Sequence, residues 1–426
     1  MIIKFWSSFF KSLRGFGGRA PKVLLLLLIL SACGYDVDDY VEEQVTLQLW
    51  LWDETVKGLE ITAGFDRPDI DLEIIVIPWA DYWQRLQSAL FAGDGPDIFW
   101  MNHPNAVSYM PSGLLMDLTE LGLELSGFEA AQYLPFMYQG RLFGLPMFFD
   151  TVALFYNKTL FDEAGIPYPP HRGWTWEEIR EAALALTVTS DDEVRQFGLG
   201  ISHNTQIGTA NFIFQAGGHM FSPDRMALDI NNSGALTALR FMHGLIHEDR
   251  VSPTPSENAD INFMGELFVN NMMAMEINGL WRTALYYEFL GEQLGIAHLP
   301  RHLREANSFH SLAYAVASHT RHPEAVKAFL EYAASPAHGN IVAPVFLPAH
   351  RESRHLWFDN FPSLNLRVFA EAMEIAEPLQ IAAVNAGPVW DTLTREMELI
   401  FSQHDIITEE ILEALNDVVN MMIHSP

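Results

Sequence analysis

The stretch GDGPDIFWMN, Gly93 to Asn102, sets a flexible acidic turn directly against a short apolar run. Glycine suits the left-handed exit of a helix, and Pro96 has no N–H with which to continue one. The run DIFWM is short and apolar, and reads as a buried strand. Upstream, DYWQRLQSALFA carries Trp83, Leu86 and Leu90 inward at helical spacing, with Asp81 placed to cap the helix. Before that, VTLQLWLWDE alternates Val45, Leu47, Leu49 and Leu51, and DLEIIVIPW is a β-branched run stopped by Pro78. About one helix's length separates those two strands. Strand, helix, strand, helix, strand predicts an α/β fold built on a mainly parallel sheet flanked by helices. In open sheets of this kind ligands bind beyond the carboxyl ends of the strands, where Trp52, Asp53, Trp100 and Asn102 lie.

The rest of the chain is punctuated helix and loop. RLFGLPMFFDTVALFYNKTLF holds two apolar runs interrupted at Asp150-Thr151. Thr175 to Glu178 forms a capping box, followed by the stripe Ile179, Ala182, Ala183 and Leu186. SPDRMALDINNSG reads as a polar, hairpin-like insertion, and AMEINGLWRT as a strand, a glycine turn and Trp281. Pro323 opens a helix with Val326, Phe329, Leu330 and Ala333 on one face. A last helix begins near Thr408 with Ile411, Leu412, Leu415, Val418 and Val419 inward.

Length and composition describe a globular chain of two domains: 426 residues, 49% hydrophobic and 12% aromatic. The net charge is −29, and residues 1–32 hold five basic residues and no acid, so the remainder is more acidic still. Such a body disfavours nucleic acid and anionic lipid surfaces as partners. Val23–Leu30 is too short to cross a bilayer and suits the apolar segment of a signal peptide. It ends in Leu30-Ser31-Ala32-Cys33, with the chain's single cysteine, which excludes an intramolecular disulfide. This resembles a bacterial lipobox, implying cleavage after residue 32 and acylation of Cys33. The acidic stretch after it reads as a tether to residue 44.

The order of blocks resembles the family 1 extracellular solute-binding proteins of ABC importers, the group that includes maltose-binding protein. The blocks are GDGPDIFWMNHPNAVSYMPSGLLMDLT, YQGRLFGLPMFFDTVALFYNKTLFDEAGIPYPP with TWEEI, MEINGLWRT and AEPLQIAAVNAGPVWDTL. The resemblance implies two α/β lobes closing over a sugar, of the type II binding-protein fold, each lobe a mainly parallel sheet. It places the first lobe at 45–149 plus about 303–350, and the second at 150–302 plus about 351–426. Carried over residue by residue, it implies sugar contacts at Trp100, Asn102 and His103 from the first lobe. Asp53 follows the first strand, Asp150 stands at the first hinge crossing, and Trp281 and Trp390 stack on sugar from the second lobe. Trp52, at the first strand's end, joins this set. The chain departs from maltose binders at His103-Pro104 and in the loop Thr205–Asn211, which lacks the expected acidic and aromatic residues. The implied partners are a carbohydrate, probed first as an oligosaccharide, an ABC permease, and the membrane through a lipid anchor. The protein is expected as an extracytoplasmic monomer.

Trp faces cover the apolar C–H faces of a sugar ring, and carboxylates and amides bind its hydroxyls. Each of these residues also has a plainer reading. The four tryptophans could be core, Asp53 and Asp150 helix caps or solvated loop, and Asn102 and His103 loop. Enzyme signatures are absent: no Gly-x-Ser-x-Gly elbow, no phosphate loop and no His-Glu-x-x-His. The calcium-like run from Asp229 ends at Arg240 where a Glu is needed. His298 and His302 are separated by Pro300, which breaks the helix that would align them on a metal. No cofactor, metal or catalysis is therefore expected. The alternatives are a binder of another solute such as glycerol phosphate, disfavoured because only Arg282 adjoins a proposed ligand residue, and a secreted glycan-acting enzyme.

Overall fold

The computed structural model describes residues 44–52, 61, 64–191, 193–257, 263–379, 381 and 386–423. The leader, Cys33 and Asp53 lie outside the described residues, as does most of the stretch expected as a helix between the first two strands. Among the described residues no helix is long and apolar enough to cross a membrane. The ranges Thr46–Asp66 and Leu72–Pro426 make one compact unit, which holds everything below except the first residue of β1 and the first two of β2. In the other, the Val45 N–H donates to the Asp69 carbonyl, and Arg67 grips the Asp69 carboxylate through two hydrogen bonds of 2.8 and 2.6 Å.

The leading elements are β1 (Val45–Leu51), β2 (Ile70–Val76), helix α1 (Trp79–Ala92), β3 (Ile98–Asn102) and helix α2 (His103–Tyr109). Gly93 ends α1 in the left-handed conformation at φ 65°, as the glycine turn requires. The cap expected of Asp81 does not form. Pro78 occupies the N-cap without a side-chain bond, and Asp81 stands in the first turn, where its charge favours the helix N-terminus. Tyr82, Leu86 and Leu90 are the buried face of α1, so Trp83 is rotated off it.

Next come β4 (Leu145–Asp150), β5 (Val152–Asn157), helix α3 (Trp176–Leu186), β6 (Met275–Gly279), β7 (Leu294–Ala297) and β8 (Asn307–Val316). Helix α4 (Pro323–Ala333), helix α5 (Arg367–Met373), β9 (Ala376–Pro378), helix α6 (Ala386–Ser402) and helix α7 (Glu409–Ile423) complete the set used here. The first sheet runs β9-β8-β3-β1-β2, with β4 also on β8. The pairs β1–β3 and β8–β9 are parallel, while β8 runs antiparallel to β3 and β4. The second sheet is β6-β5-β7.

The fold is two-lobed α/β as expected, yet the second sheet is not parallel in its strands: β6 and β7 both run against β5. The reason is local. β5 leaves β4 after the single residue Thr151, so no crossover helix precedes it, and its neighbours return from later chain. Parallel bridges at Phe197–Met273 and Gly200–Glu276 extend the sheet on the β6 side. Every residue of β5 is buried. Val152, Leu154 and Tyr156 pack into one core with α3, α6 and α7, while Ala153 and Phe155 face a second core with Phe268, Trp357 and Phe369. A strand covered on both faces needs this unbroken apolar run.

The helix stripes fall as read. Ile179, Ala182, Ala183 and Leu186 are buried in α3, and Val326, Phe329, Leu330 and Ala333 in α4. In α7, Leu412, Leu415 and Val419 are buried, with Ile411 and Val418 at half exposure. The α3 capping box is closed both ways: Thr175 Oγ1 accepts from the Glu178 N–H at 3.2 Å, and Glu178 Oε2 from the Thr175 N–H at 2.7 Å. Thr175→Ala should therefore lower the unfolding free energy by about 1 kcal/mol in urea titrations, with Thr175→Ser near wild type. Equal loss in both would assign the effect to packing.

Candidate functional site

Chain crossings between the sheets sit side by side. Thr151 separates β4 from β5, and residues 298–306 link β7 to β8. The Asn307 side chain accepts from the Val152 N–H at 2.9 Å and donates to the Val152 carbonyl at 2.7 Å, fastening one crossing to the other. The Thr151 hydroxyl donates to the Phe369 carbonyl at 3.0 Å.

A cavity of about 860 Å³ is lined on one side by residues of α1 and α2, with Asn102 and His310. The other side is Asn204–Gln206, Leu379 and α6 residues including Trp390, Asp391, Arg395 and Glu398. Its first wall is aromatic. Trp79 and Trp83 line it, and Trp52 stands behind them at 5.2 and 5.7 Å between ring centroids, with Tyr82 and Trp100 deeper. Several polar atoms at the lining are buried with no hydrogen-bond partner among the described residues: Trp83 Nε1, Thr205 Oγ1 and Trp390 Nε1. Unpaired buried donors are costly, so a site that keeps them is arranged for a ligand that satisfies them.

The expected residues divide. Asn102 and Trp390 line this cavity. Asn102 is also the N-cap of α2, its Oδ1 accepting from the Asn105 N–H at 3.3 Å. Trp390 is half-buried and edge-on to Phe221 at 5.5 Å. Trp52 is half-buried and supports the aromatic wall without lining it. Trp100 is a correction: it is 0% exposed, enclosed by Trp52, Phe148 and Phe346, and belongs to the first sheet's core. It sits in the central strand β3, all of whose residues are buried. His103 is a correction too. It is fully buried, stacked on Phe309, with Nδ1 accepting from the Ser311 N–H at 3.2 Å. Burial pushes its imidazole down to about 3, so it is neutral. Trp281 is half-buried and outside this cavity's lining. Its ring lies over Gly279, where a Cβ would collide with it.

Asp150 ends β4 opposite His310, and its Oδ1 accepts from Gln206 Nε2 at 3.1 Å. Burial pushes its carboxyl up to about 8, against the Gln206 hydrogen bond that favours the charged form. The acid at the crossing is therefore covered and holds its proton at neutral pH. Burial likewise lowers His310 well below the ordinary imidazole range and raises Asp391.

Sequence reading missed Trp79, Trp83 and Gln206. The two tryptophans carry a signal, since Trp79 and Trp83 share one helix face at i, i+4. Gln206 carries none. It is set by a π-helical turn, Thr205–Thr209, whose start is held by Asn204 Oδ1 accepting from the Gln206 N–H at 2.9 Å. The Gln206 carbonyl also accepts from Asn211 and Ser308, both at 2.7 Å. The pair His298 and His302 does not converge: His302 stacks on Trp176 at 4.4 Å.

Comparison with known proteins agrees with this layout. The chain is 24% identical to a maltotriose-binding protein of Pyrococcus abyssi over 242 residues, 56% of this chain and 49% of that protein. It is 26% identical to a galactooligosaccharide-binding protein of Bacillus subtilis over 286 residues, 64% of this chain and 65% of that one. The aligned stretch thus spans half to two thirds of these relatives. A Listeria monocytogenes ABC substrate-binding protein solved with cycloalternan superposes at a TM-score of 0.81 and 23% identity, covering 90% of this chain and 99% of that one. Residues 51–339 match the family described as bacterial extracellular solute-binding protein. Two lobes joined at adjacent crossings, with a cavity walled from both sides, are the architecture of that family, and this chain belongs to it.

Proposed function

We propose that this chain is the sugar-capturing component of an ABC importer, binding an oligosaccharide in the 860 Å³ cavity and delivering it to the permease. The observation that carries the reading is the pairing of a tryptophan wall, Trp79 and Trp83, with buried polar atoms left unpaired at the same lining. Rings suit the C–H faces of sugars, and the unpaired groups suit hydroxyls. Among the described lining residues Arg395 is the cation. It pairs with Glu396 at 3.2 Å and adjoins Asp391 and Glu398. That balance favours a neutral ligand over a glycerol phosphate, which would want converging cations. The relatives named for maltotriose and galactooligosaccharide support the same class.

Of the expected sugar contacts, Asn102 and Trp390 keep direct roles in this reading, Asp150 acts through Gln206, and Trp52 backs the wall. The lobes are 45–149 plus about 303–350, and 150–302 plus about 351–426, rotating at Thr151 and its neighbouring crossing. Ligand shifts the equilibrium toward closure because the closed form touches it from both sides. The chain is held outside the cytoplasm by a lipid on Cys33, acts as a monomer, uses no cofactor and returns its ligand unchanged.

Calorimetric titration with mono- and oligosaccharides, and glycerol phosphate as control, tests this. Saturable binding of one sugar class is expected, with the sugar recovered intact. Trp79, 45% exposed, is the variant of choice. Trp79→Ala should weaken binding about tenfold while moving stability by less than about 1 kcal/mol. Wild-type affinity in that variant would move the ligand off the tryptophan wall, and glycerol phosphate binding alone would replace sugar as the cargo.

A further inference from the structure

Outside the cleft, side chains from distant parts of the chain converge beside α5. Glu371 Oε2 lies 2.8 Å from His298 Nε2 and 3.3 Å from His171 Nε2. The two imidazole rings stand 5.6 Å apart at 81°. A nitrogen or oxygen from each of the three lies within 4.8 Å of the others. A hydrogen-bonded ion pair needs one histidine; here two aim Nε2 at a single carboxylate oxygen. Bonds of 2.0–2.1 Å around tetrahedral zinc make an edge of about 3.3 Å between ligand atoms, the distance from Glu371 to His171; the contact to His298 is shorter, at hydrogen-bond length.

The backbone holds this arrangement in place. The loop carrying His171 turns at Gly173, φ 70°, where a Cβ would stand 2.7 Å from the Leu299 carbonyl and 2.9 Å from that of His298. Only glycine allows that approach, which sets His171 next to His298. Arg301 Nη1 then donates to the Arg172 and Gly173 carbonyls at 3.1 and 2.8 Å. The third group comes from α5, whose Phe369 carbonyl receives Thr151 at the crossing. A cavity of about 360 Å³ adjoins the cluster, with Glu305 and Glu374 at its wall and space for a water ligand.

We propose that His171, His298 and Glu371 form a binding site for a zinc-like divalent cation. Two imidazoles and one carboxylate, with a fourth position open to solvent, are a donor set that suits zinc over calcium or magnesium. A cation there would join α5 to the end of β7 and to the loop before α3, bracing the back of the crossing. The site is separate from the sugar cleft and does not depend on it.

The experiment is a calorimetric zinc titration of the full chain in detergent, stripped of metal with a chelator. One zinc per chain is expected in wild type. His171→Ala and Glu371→Gln should each weaken zinc binding by at least about tenfold. His171 is 60% exposed, so its loss does not threaten folding. Absence of one-to-one zinc binding, or equal affinity in wild type and both variants, would overturn the site.

Discussion

Trp100→Ala lowers the free energy of unfolding by about 3–5 kcal/mol, the range for removing a fully buried tryptophan. The indole has no exposed surface and is enclosed by Trp52, Phe148 and Phe346, with ring centroids at 5.1 to 6.4 Å. Truncation opens a void in the central strand of the first sheet, where β1 and β8 on either side prevent collapse. Urea unfolding followed by circular dichroism measures the loss, and Trp79→Ala is the paired control. If Trp100→Ala instead kept stability and lost sugar affinity, the residue would be a ligand contact and its placement in the core wrong.

The second large effect is on pH dependence. Asp150 has a folded value raised to about 8 by burial, against an ordinary 3.8. Between those limits the unfolded chain releases its proton while the folded chain keeps it. Stability therefore falls as pH rises from about 4 to about 8, by at most about 6 kcal/mol, and levels off above. Asp150→Asn removes this contribution and keeps the hydrogen bond from Gln206, since the amide oxygen also accepts. The variant should match wild type near pH 4 and exceed it increasingly toward pH 8. Urea unfolding at several pH values gives the difference, in which shared contributions such as that of His103 cancel. Parallel profiles would mean that Asp150 is ionised in the folded protein.

Much of the fold was legible because its signals are local. The Gly93 turn, the Thr175 capping box and the stripe of α4 need only neighbours within a turn or two. The antiparallel second sheet was not, because strand direction there depends on which later segments return to β5. The site was less legible for a related reason. A tryptophan beyond a strand end and a tryptophan within the strand differ by one or two positions, and Trp100 falls on the inner side while Asn102 falls on the outer. Helical spacing points Trp83 inward, yet Tyr82 holds that face, its hydroxyl donating to the Trp100 carbonyl at 2.8 Å. A rotation of one residue, about 100° on a helix, decides core against cleft. Gln206 and the cluster of His171, His298 and Glu371 are joined only by tertiary structure, where no spacing rule applies.

The Asn307 amide meets both main-chain groups of Val152. An amide presents a donor and an acceptor on two separate atoms at one end, whereas a carboxylate would present acceptors alone. Two strands riveted in this way cannot pivot independently, because turning one drags the other. In the hinge motion proposed above, the two crossings therefore bend together rather than one at a time. For the importer role proposed above, the surface shown to a permease would then follow the two crossings as one unit.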